Sequence, residues 1–256
     1  MSVSDQLDDF VSAYTPSFRY ASDNELLLKA YAALIEERVR EWEGASSSTT
    51  TNVLSLGIGH SIVSGCLIDL LAKKLIDTYT IIEGSGKLID GFRARQEYKG
   101  DNLKLVETFF EDYVPAEPLA AIEMGFVLEH VEDPSLILSR FKDYLQLGGA
   151  LFVAVPNARS LHRLLGHSAG LLPDLYQLSE YDLQLGHRRY FDVQSLKDMV
   201  TEAGYTIRGI SGLVLKPLTT QQLVDCDLAP EVWSAFTKVG YGLPEISNGI
   251  YLEATV

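Results

Sequence analysis

Short apolar runs alternate with amphipathic patterns along most of the chain. The runs have the length of buried strands and fall at residues 52–56, 79–82, 103–106, 120–127 and 150–155. Between them, residues 62–76, 87–98 and 134–147 carry apolar positions at helical spacing. The last of these begins at Pro134 and is followed by Gly148, which predicts its start and its end. Strands separated by helices predict a parallel sheet with helices on both of its faces.

The carboxyl-terminal third of the chain departs from this alternation. Residues 157–190 have no clear period, and we interpret them as an insertion. Residues 193–203 then form a helical pattern that stops at Gly204. Two late strands are predicted at 205–215 and 249–256, and a helical excursion between them replaces a full crossover.

The segment before the first strand is predicted to be helical. Apolar residues recur at roughly helical spacing through residues 26–39, and charged residues occupy the other side. A small polar stretch at 44–51 follows and indicates a linker. We therefore expect a helical cap and linker at 1–50 and a larger α/β domain at 51–256.

Composition limits the classes of partner and compartment. A net charge of −14 argues against a nucleic-acid partner, because such binding needs a basic face. Two cysteines are too few for a disulfide framework, and the first ten residues are acidic and polar. No apolar run reaches membrane-spanning length. We therefore expect a cytoplasmic protein of 256 residues with one sizeable core and no membrane partner, either a monomer or a homodimer.

A glycine-rich turn directly follows the first strand. Gly57 and Gly59 lie between that strand and the first helix, and the second strand ends at Glu83. In Rossmann-type folds, such glycines let the backbone pass close to a ligand, and the acidic residue accepts the ribose hydroxyl protons. This combination predicts a nucleoside-containing ligand.

Two later motifs indicate which ligand it is. The segments 127–134, VLEHVEDP, and 145–157, LQLGGALFVAVPN, resemble signatures of the class I S-adenosylmethionine (SAM)-dependent methyltransferases. The resemblance spans roughly residues 50–210 and is strongest to the "LEHV-DP" branch that acts on small molecules. It implies SAM as cofactor and a Rossmann-like sheet of seven strands, mostly parallel, with an antiparallel last strand.

The resemblance also implies which residues bind the cofactor. They come from the ends of the first four strands and are Leu56, Gly57, Gly59, His60, Glu83, Gly84, Phe109, Phe110, Gly125, Phe126 and Glu129. Phe109 and Phe110 are open to two interpretations, packing on the adenine ring or packing in the core. Ser55 stands where many members carry an acidic residue, and Ser61 stands where a third glycine is usual.

Candidate acceptor-site residues lie after the fourth and fifth strands. His130 follows the fourth strand, and His187 belongs to GHRRYF, which resembles a segment that faces the acceptor in related methyltransferases. Either histidine can act as a general base, since its pKa lies near working pH, and His130 can equally cap a loop. The insertion 157–190 is expected to cover the acceptor pocket. The expected substrate-binding residues are Tyr14, Tyr20, Asn157, Arg159, Arg163, Arg188 and Arg189.

These residues predict methyl transfer from SAM to an oxygen of a small metabolite that carries an anionic group. Arginine forks match carboxylate and phosphate, which is the reason for the anionic group. The alternatives are N-methylation of a small molecule and a methyltransferase-like binding protein without turnover. A nucleotide-sugar or NAD enzyme is disfavoured because it has no use for the LEHVEDP turn. No histidine, cysteine and aspartate set has zinc-ligand spacing, so the sequence predicts no metal.

Overall fold

The structure is a computed structural model that describes residues 21–42, 50–59 and 61–256. Tyr14, Tyr20, His60 and most of the predicted linker lie outside these ranges. The strands are β1 (Asn52–Leu56), β2 (Thr78–Glu83), β3 (Leu103–Glu107), β4 (Leu119–Gly125), β5 (Leu145–Pro156), β6 (Thr206–Leu213) and β7 (Gly249–Thr255). The helices are α1 (Ala21–Arg40), α2 (Ile62–Ala72), α3 (Gly86–Arg95), α4 (Pro134–Lys142), α5 (Leu161–Ser168), α6 (Glu180–Gln184), α7 (Val193–Glu202), α8 (Thr220–Asp225) and α9 (Pro230–Gly240).

All seven strands form one sheet in the order β3-β2-β1-β4-β5-β7-β6. Strands β1 to β5 pair in parallel, and β7 is antiparallel to both of its neighbours. The predicted fold class is thereby confirmed. The order reverses between β1 and β4, and ligands of open α/β sheets bind at such a point, outside the carboxyl ends of the strands.

Each face of the sheet is covered by helices. Fully buried residues on one face include Tyr31 of α1 and Leu67 of α2, and on the other they include Phe141 of α4 and Leu196 of α7. Every residue of β1 is buried, as its near-continuous apolar sequence predicts for a central parallel strand.

Helix α1 is part of this packed structure. Its residues Leu27, Tyr31, Ile35 and Val39 recur every fourth position and are all buried, so they form one continuous stripe against the sheet and α2. Within the described part of the chain, no helix has both the length and the apolar character needed to cross a bilayer.

The prediction of a helix over 134–147 is wrong at its carboxyl end. Helix α4 ends at Lys142, and β5 begins at Leu145, so Gly148 and Gly149 lie inside a strand. Leu145 pairs with Leu119, and Ala150 pairs with Ala121, so residues 146–149 belong to the strand. They face the single residue Ala120, and a shift of register accommodates the difference. A Cβ on Gly149 would stand 2.9 Å from the Ala120 carbonyl oxygen, which requires glycine there.

Other elements differ from prediction at their ends. Helix α2 stops at Ala72 and α3 at Arg95, while β4 stops at Gly125 and β6 spans Thr206–Leu213. The insertion 157–190 contains the short helices α5 and α6, and the excursion after β6 contains α8 and α9.

Candidate active site

The glycine turn after β1 adopts backbone angles that side chains disfavour. Gly57 has φ +85° and Gly59 has φ +54°, which lie in the left-handed region that glycine reaches without steric cost. The amide of Gly57 donates to the Ile82 carbonyl at 2.8 Å. A Cβ on Gly57 would lie 3.9 Å from both Glu83 Oε2 and Phe110 Cζ, so this glycine keeps open the space between them.

Glu83 is held rigidly at the end of β2. Its Oε2 accepts from the Ile58 amide at 3.1 Å, and its Oε1 accepts from the Ser85 amide at 2.9 Å. Burial raises the pKa of Glu83, and the amides of Ser85, Ile58 and Gly84 act against that rise. Each carboxylate oxygen retains a second acceptor site, which fits a ribose whose two hydroxyls donate.

The loop after β3 contributes aromatic side chains to the same edge. The Thr108 amide donates to the Glu83 carbonyl at 3.0 Å, and this bond fixes the loop beside β2. Phe110 is half-buried and packs against the core below the glycine turn. Phe109 is also half-buried, whereas the acids Glu111 and Asp112 are exposed. Phe110 is thus the aromatic that the fold brings to Gly57 and Glu83.

The turn after β4 is unusually constrained. Phe126 has φ +58°, a conformation that is uncommon for a bulky residue and frequent at functional sites. Its amide donates to the Ala154 carbonyl at 2.7 Å. A Cβ on the preceding Gly125 would overlap the Tyr31 ring and approach Glu123 Oε1 to 2.5 Å. Helix α1 therefore contacts this turn directly, and only glycine fits at position 125.

A buried carboxylate that the sequence analysis missed lies below this turn. Glu123 Oε1 accepts from the Gly125 amide at 2.6 Å and from the Tyr31 hydroxyl at 3.1 Å. Burial raises the pKa of Glu123 to about 7, against hydrogen bonds from Ser55, Gly125 and Tyr31. Glu123 pairs with Ser55 across the β1–β4 ladder. A lone acid within an apolar run was the signal available in the sequence.

Glu129, His130 and His187 come together after β4. The two imidazole rings are 4.7 Å apart and nearly perpendicular. One ligand-type atom from each of the three residues lies within 4.8 Å of the others. Glu129 is fully buried, and neither of its oxygens has a hydrogen-bond partner. Two backbone bonds hold the arrangement, from the Arg188 amide to the Glu129 carbonyl and from the His187 amide to the Asp182 carbonyl.

The charges in this cluster are strongly perturbed. Burial raises the pKa of Glu129 to about 7, although His187 and Arg189 act to lower it. Burial also lowers the pKa of His130 to about 3, aided by His187, so its ring is neutral. Asp182 Oδ1 lies 3.2 Å from His187 Nδ1. Burial acts to raise the pKa of Asp182, but hydrogen bonds from His187 and Ser179 lower it to about 2. An ionised Asp182 therefore lies beside the His187 ring.

The arginines predicted to bind substrate differ in what they contact. Arg189 donates to the carbonyls of Leu128, Val131 and Glu132, and so holds the LEHVEDP turn. Arg163 is buried, stacks over the Tyr190 ring at 4.1 Å and donates to the carbonyls of Leu175 and Gln177. The contacts of both guanidinium groups are structural.

Two arginines remain at the surface. Arg159 is exposed and lies near Tyr176, where burial and Asp192 raise the pKa of the tyrosine and the charge of Arg159 opposes that rise. Arg188 is exposed and donates its Nε to the His130 carbonyl at 3.1 Å. Asn157, also predicted to bind substrate, is instead buried, and its amide donates to the carbonyls of Pro244, Glu245 and Ser247. These hydrogen bonds hold the segment before β7 against the end of β5.

The sheet order, the glycine turn with Glu83, and the motif after β4 together define a class I methyltransferase fold. The family described as "Methyltransferase domain" matches residues 24–209. The chain belongs to that family and is a SAM-dependent methyltransferase. The motif subtype within the family is not distinguished by this match.

Solved structures share the fold at low sequence identity. A SAM-dependent methyltransferase from Mesorhizobium loti is 13% identical, with a TM-score of 0.56 over 85% of this chain and 95% of that one. The glycopeptide N-methyltransferase MtfA, solved with SAM, is 13% identical, with a TM-score of 0.53 over 86% of this chain and 93% of that one. A Thermotoga maritima protein described as a possible histamine N-methyltransferase is 16% identical, with a TM-score of 0.53 over 93% and 96% of the two chains. No curated protein matches the chain.

Proposed function

We propose that this enzyme transfers the methyl group of SAM to an oxygen of a small metabolite that bears an anionic group. The observation that carries the proposal is the cluster of Glu129, His130 and His187, which directly follows the constrained turn at Gly125 and Phe126. A pair of histidines beside a buried carboxylate serves a protonated acceptor, which must lose its proton during transfer.

Different residues contact different parts of SAM in this proposal. SAM supplies an electrophilic methyl group on its sulfonium. Glu83 accepts from the ribose hydroxyls, Gly57 and Gly59 place backbone beside the methionine part, and Phe110 packs near the nucleoside. Glu123 holds the Gly125 amide and the Tyr31 ring in place, which fixes the floor of the methionine site. In this proposal Leu56, Gly84, Phe109, Phe126 and Glu129 complete the lining, and His60 lies outside the described residues.

On the acceptor side, His187 is placed to take the proton of a hydroxyl. Asp182 faces its Nδ1 and stabilises the imidazolium that forms, while neutral His130 packs edge-on against the ring. The anionic group of the substrate would contact Arg159 and Arg188, the two exposed arginines of this region. The short helices of segment 157–190 would roof the pocket.

N-methylation is the second candidate. Two of the structural neighbours carry the description of N-methyltransferase, and a neutral amine acceptor needs no base at the moment of attack. A binding protein without turnover is less well supported, because Glu123 restores a carboxylate beside Ser55, and Ser61 adopts the backbone angle of the missing glycine.

The test is transfer of a labelled methyl group from SAM to a panel of hydroxy acids, phenols and amines. We expect Glu83→Ala to weaken SAM binding roughly tenfold to a hundredfold, because charge-assisted bonds to two hydroxyls are lost. We expect His187→Ala to lower kcat with SAM affinity retained, and His162→Ala, a half-buried histidine outside the cluster, to leave both unchanged. Transfer only to amines, with full activity in His187→Ala, would favour the second candidate.

A further inference from the structure

The cluster of Glu129, His130 and His187 has a feature that a general-base role leaves unexplained. Glu129 is completely buried, yet no other residue donates a hydrogen bond to either of its carboxylate oxygens. Burying a polar group without a partner costs several kcal/mol, and native proteins rarely keep one unless a ligand compensates it. Arg189, whose guanidinium contacts the LEHVEDP turn, gives its donors to three backbone carbonyls instead.

The composition of the cluster matches a set of metal ligands. It offers one carboxylate oxygen and two imidazole nitrogens, and these atoms lie within 4.8 Å of one another. Two histidines and one carboxylate that leave further positions open are a recurrent ligand set for divalent transition metals.

Polar groups next to the cluster lie where the groups that hold metal-bound histidines usually lie. The other nitrogen of a metal-bound histidine typically donates to a carboxylate or a backbone carbonyl. Asp182 Oδ1 stands 3.2 Å from His187 Nδ1, and the backbone of Gly186 and Leu185 is hydrogen-bonded to the His130 ring. Each ring therefore has such a group beside it.

We infer that Glu129, His130 and His187 form a binding site for one divalent transition-metal ion. Such an ion would satisfy both Glu129 oxygens and keep open positions for an acceptor oxygen beside the transferred methyl. The role at the acceptor rests on the proposed function, and the binding of the ion does not. With the ion bound, the histidines act as its ligands, the charge of the ion lowers the pKa of a coordinated acceptor hydroxyl, and the proton leaves to solvent; the role of His187 as base applies to the chain without metal. Sequence spacing could not reveal this site, because His187 joins the adjacent pair only through folding.

Metal binding to the full chain tests the inference directly. Protein stripped with a chelator would be titrated with Mn²⁺, Co²⁺ and Zn²⁺, and bound metal counted by mass spectrometry after gel filtration. We expect one ion per chain, a visible spectrum for the Co²⁺ form, and a rise in melting temperature with metal. In Glu129→Gln and His187→Asn we expect at least a hundredfold weaker binding. Asp182→Asn should weaken metal binding roughly tenfold to a hundredfold, because replacing a group that contacts a metal ligand usually has an effect of that size.

The controls separate a metal site from a folding defect and from failure of the proposed function. His162→Gln removes a half-buried histidine outside the cluster and should bind metal as the wild type does. Binding of S-adenosylhomocysteine, measured on every variant without metal, reports that the cofactor site is intact. Electron paramagnetic resonance of the Cu²⁺-loaded wild type should show coupling to imidazole nitrogens, independent of any variant. Absence of a stoichiometric ion, or binding unchanged in both Glu129→Gln and His187→Asn, would overturn the inference even if methyl transfer is found.

Discussion

At the scale of single residues, Ser61 shows how the cofactor turn tolerates a departure from its family. Ser61 has φ +63° immediately before α2, which is the left-handed conformation that the usual glycine reaches freely. Its side chain makes no capping hydrogen bond to the helix that follows. The position thus keeps the backbone path of the turn and carries steric strain.

Ser61→Gly should stabilise the protein by about 1 kcal/mol, because the penalty for a left-handed non-glycine residue disappears. Chemical denaturation with and without S-adenosylhomocysteine measures the effect. Lys74→Gly is the matched control, since Lys74 also has a positive φ of +60° but lies at the exposed end of α2. Both variants should gain stability, and a change in cofactor affinity is expected for Ser61→Gly alone.

Glu123 makes stability depend on pH. Burial raises its pKa from 4.5 to about 7, so the native state binds a proton more tightly than the unfolded chain does. The contribution of this residue to stability is fully present below about pH 4.5 and is lost as pH rises to about 7. The Tyr31 and Tyr79 hydroxyls that face this region have pKa values raised well above 10 and stay neutral throughout.

We therefore expect Glu123→Gln to lose this part of the pH dependence. Relative to wild type, the variant should gain at most about 3 kcal/mol between pH 4.5 and pH 8, the free-energy equivalent of the shift in pKa. Urea denaturation across that range provides the measurement. Glu117→Gln, which changes an exposed carboxylate, should follow the wild-type curve. A Glu123→Gln curve parallel to wild type would show that the carboxylate ionises as freely in the native state.

At the scale of elements, the turn after β4 is built by side chains from the distant segment 186–191. Arg189 donates to three carbonyls of the turn, and the Arg188 amide and Nε donate to two more. Two adjacent arginines, indistinguishable by type and sequence position, therefore have different roles. Arg189 joins two segments of the chain, and Arg188 lies at the surface.

Arg189→Ala should lower the free energy of unfolding by about 2–3 kcal/mol, because buried carbonyls lose charge-assisted donors. Arg188→Ala should leave stability nearly unchanged and raise the KM for an anionic acceptor. Thermal denaturation and steady-state kinetics on the two single variants separate these effects. Equal losses of stability in both variants would remove the distinction, and an unchanged KM in Arg188→Ala would exclude this residue from the acceptor site.

At the scale of the whole molecule, α1 joins the cofactor edge to the rest of the core. Tyr31 reaches the Gly125 turn at one end, and Arg38 pairs with Glu253 of β7 at 2.8 Å. The sequence predicted a helical cap and linker at 1–50. In the described residues 21–42, α1 packs on the sheet through a buried stripe.

Hydrogen exchange should show whether α1 stays packed on the sheet in the absence of ligand. We expect the amides of residues 25–39 to exchange slowly both with and without S-adenosylhomocysteine, since opening them exposes Tyr31, Ile35 and Val39 to water. Strong protection of 25–39 that appears only with the ligand would instead make α1 a moving element.

Alternating apolar runs and helical stretches determined the parallel part of the sheet, because a buried strand and an amphipathic helix each have a local signature. The glycine turn and Glu83 were predictable for the same reason, since one βαβ unit contains both. The end of α4 was not, because pairing with β4 overrode the glycine signal at 148–149.

Only the tertiary structure decided which charged residues meet. Ser55 and Glu123, or Glu129 and His187, are far apart in sequence and become neighbours through strand order and loop packing. The arginines of the insertion have equal charge in the sequence, yet Arg163 and Arg189 bind backbone carbonyls while Arg159 is exposed. Periodicity records which face of an element is buried, but it contains no information about the partner that a polar group finds there.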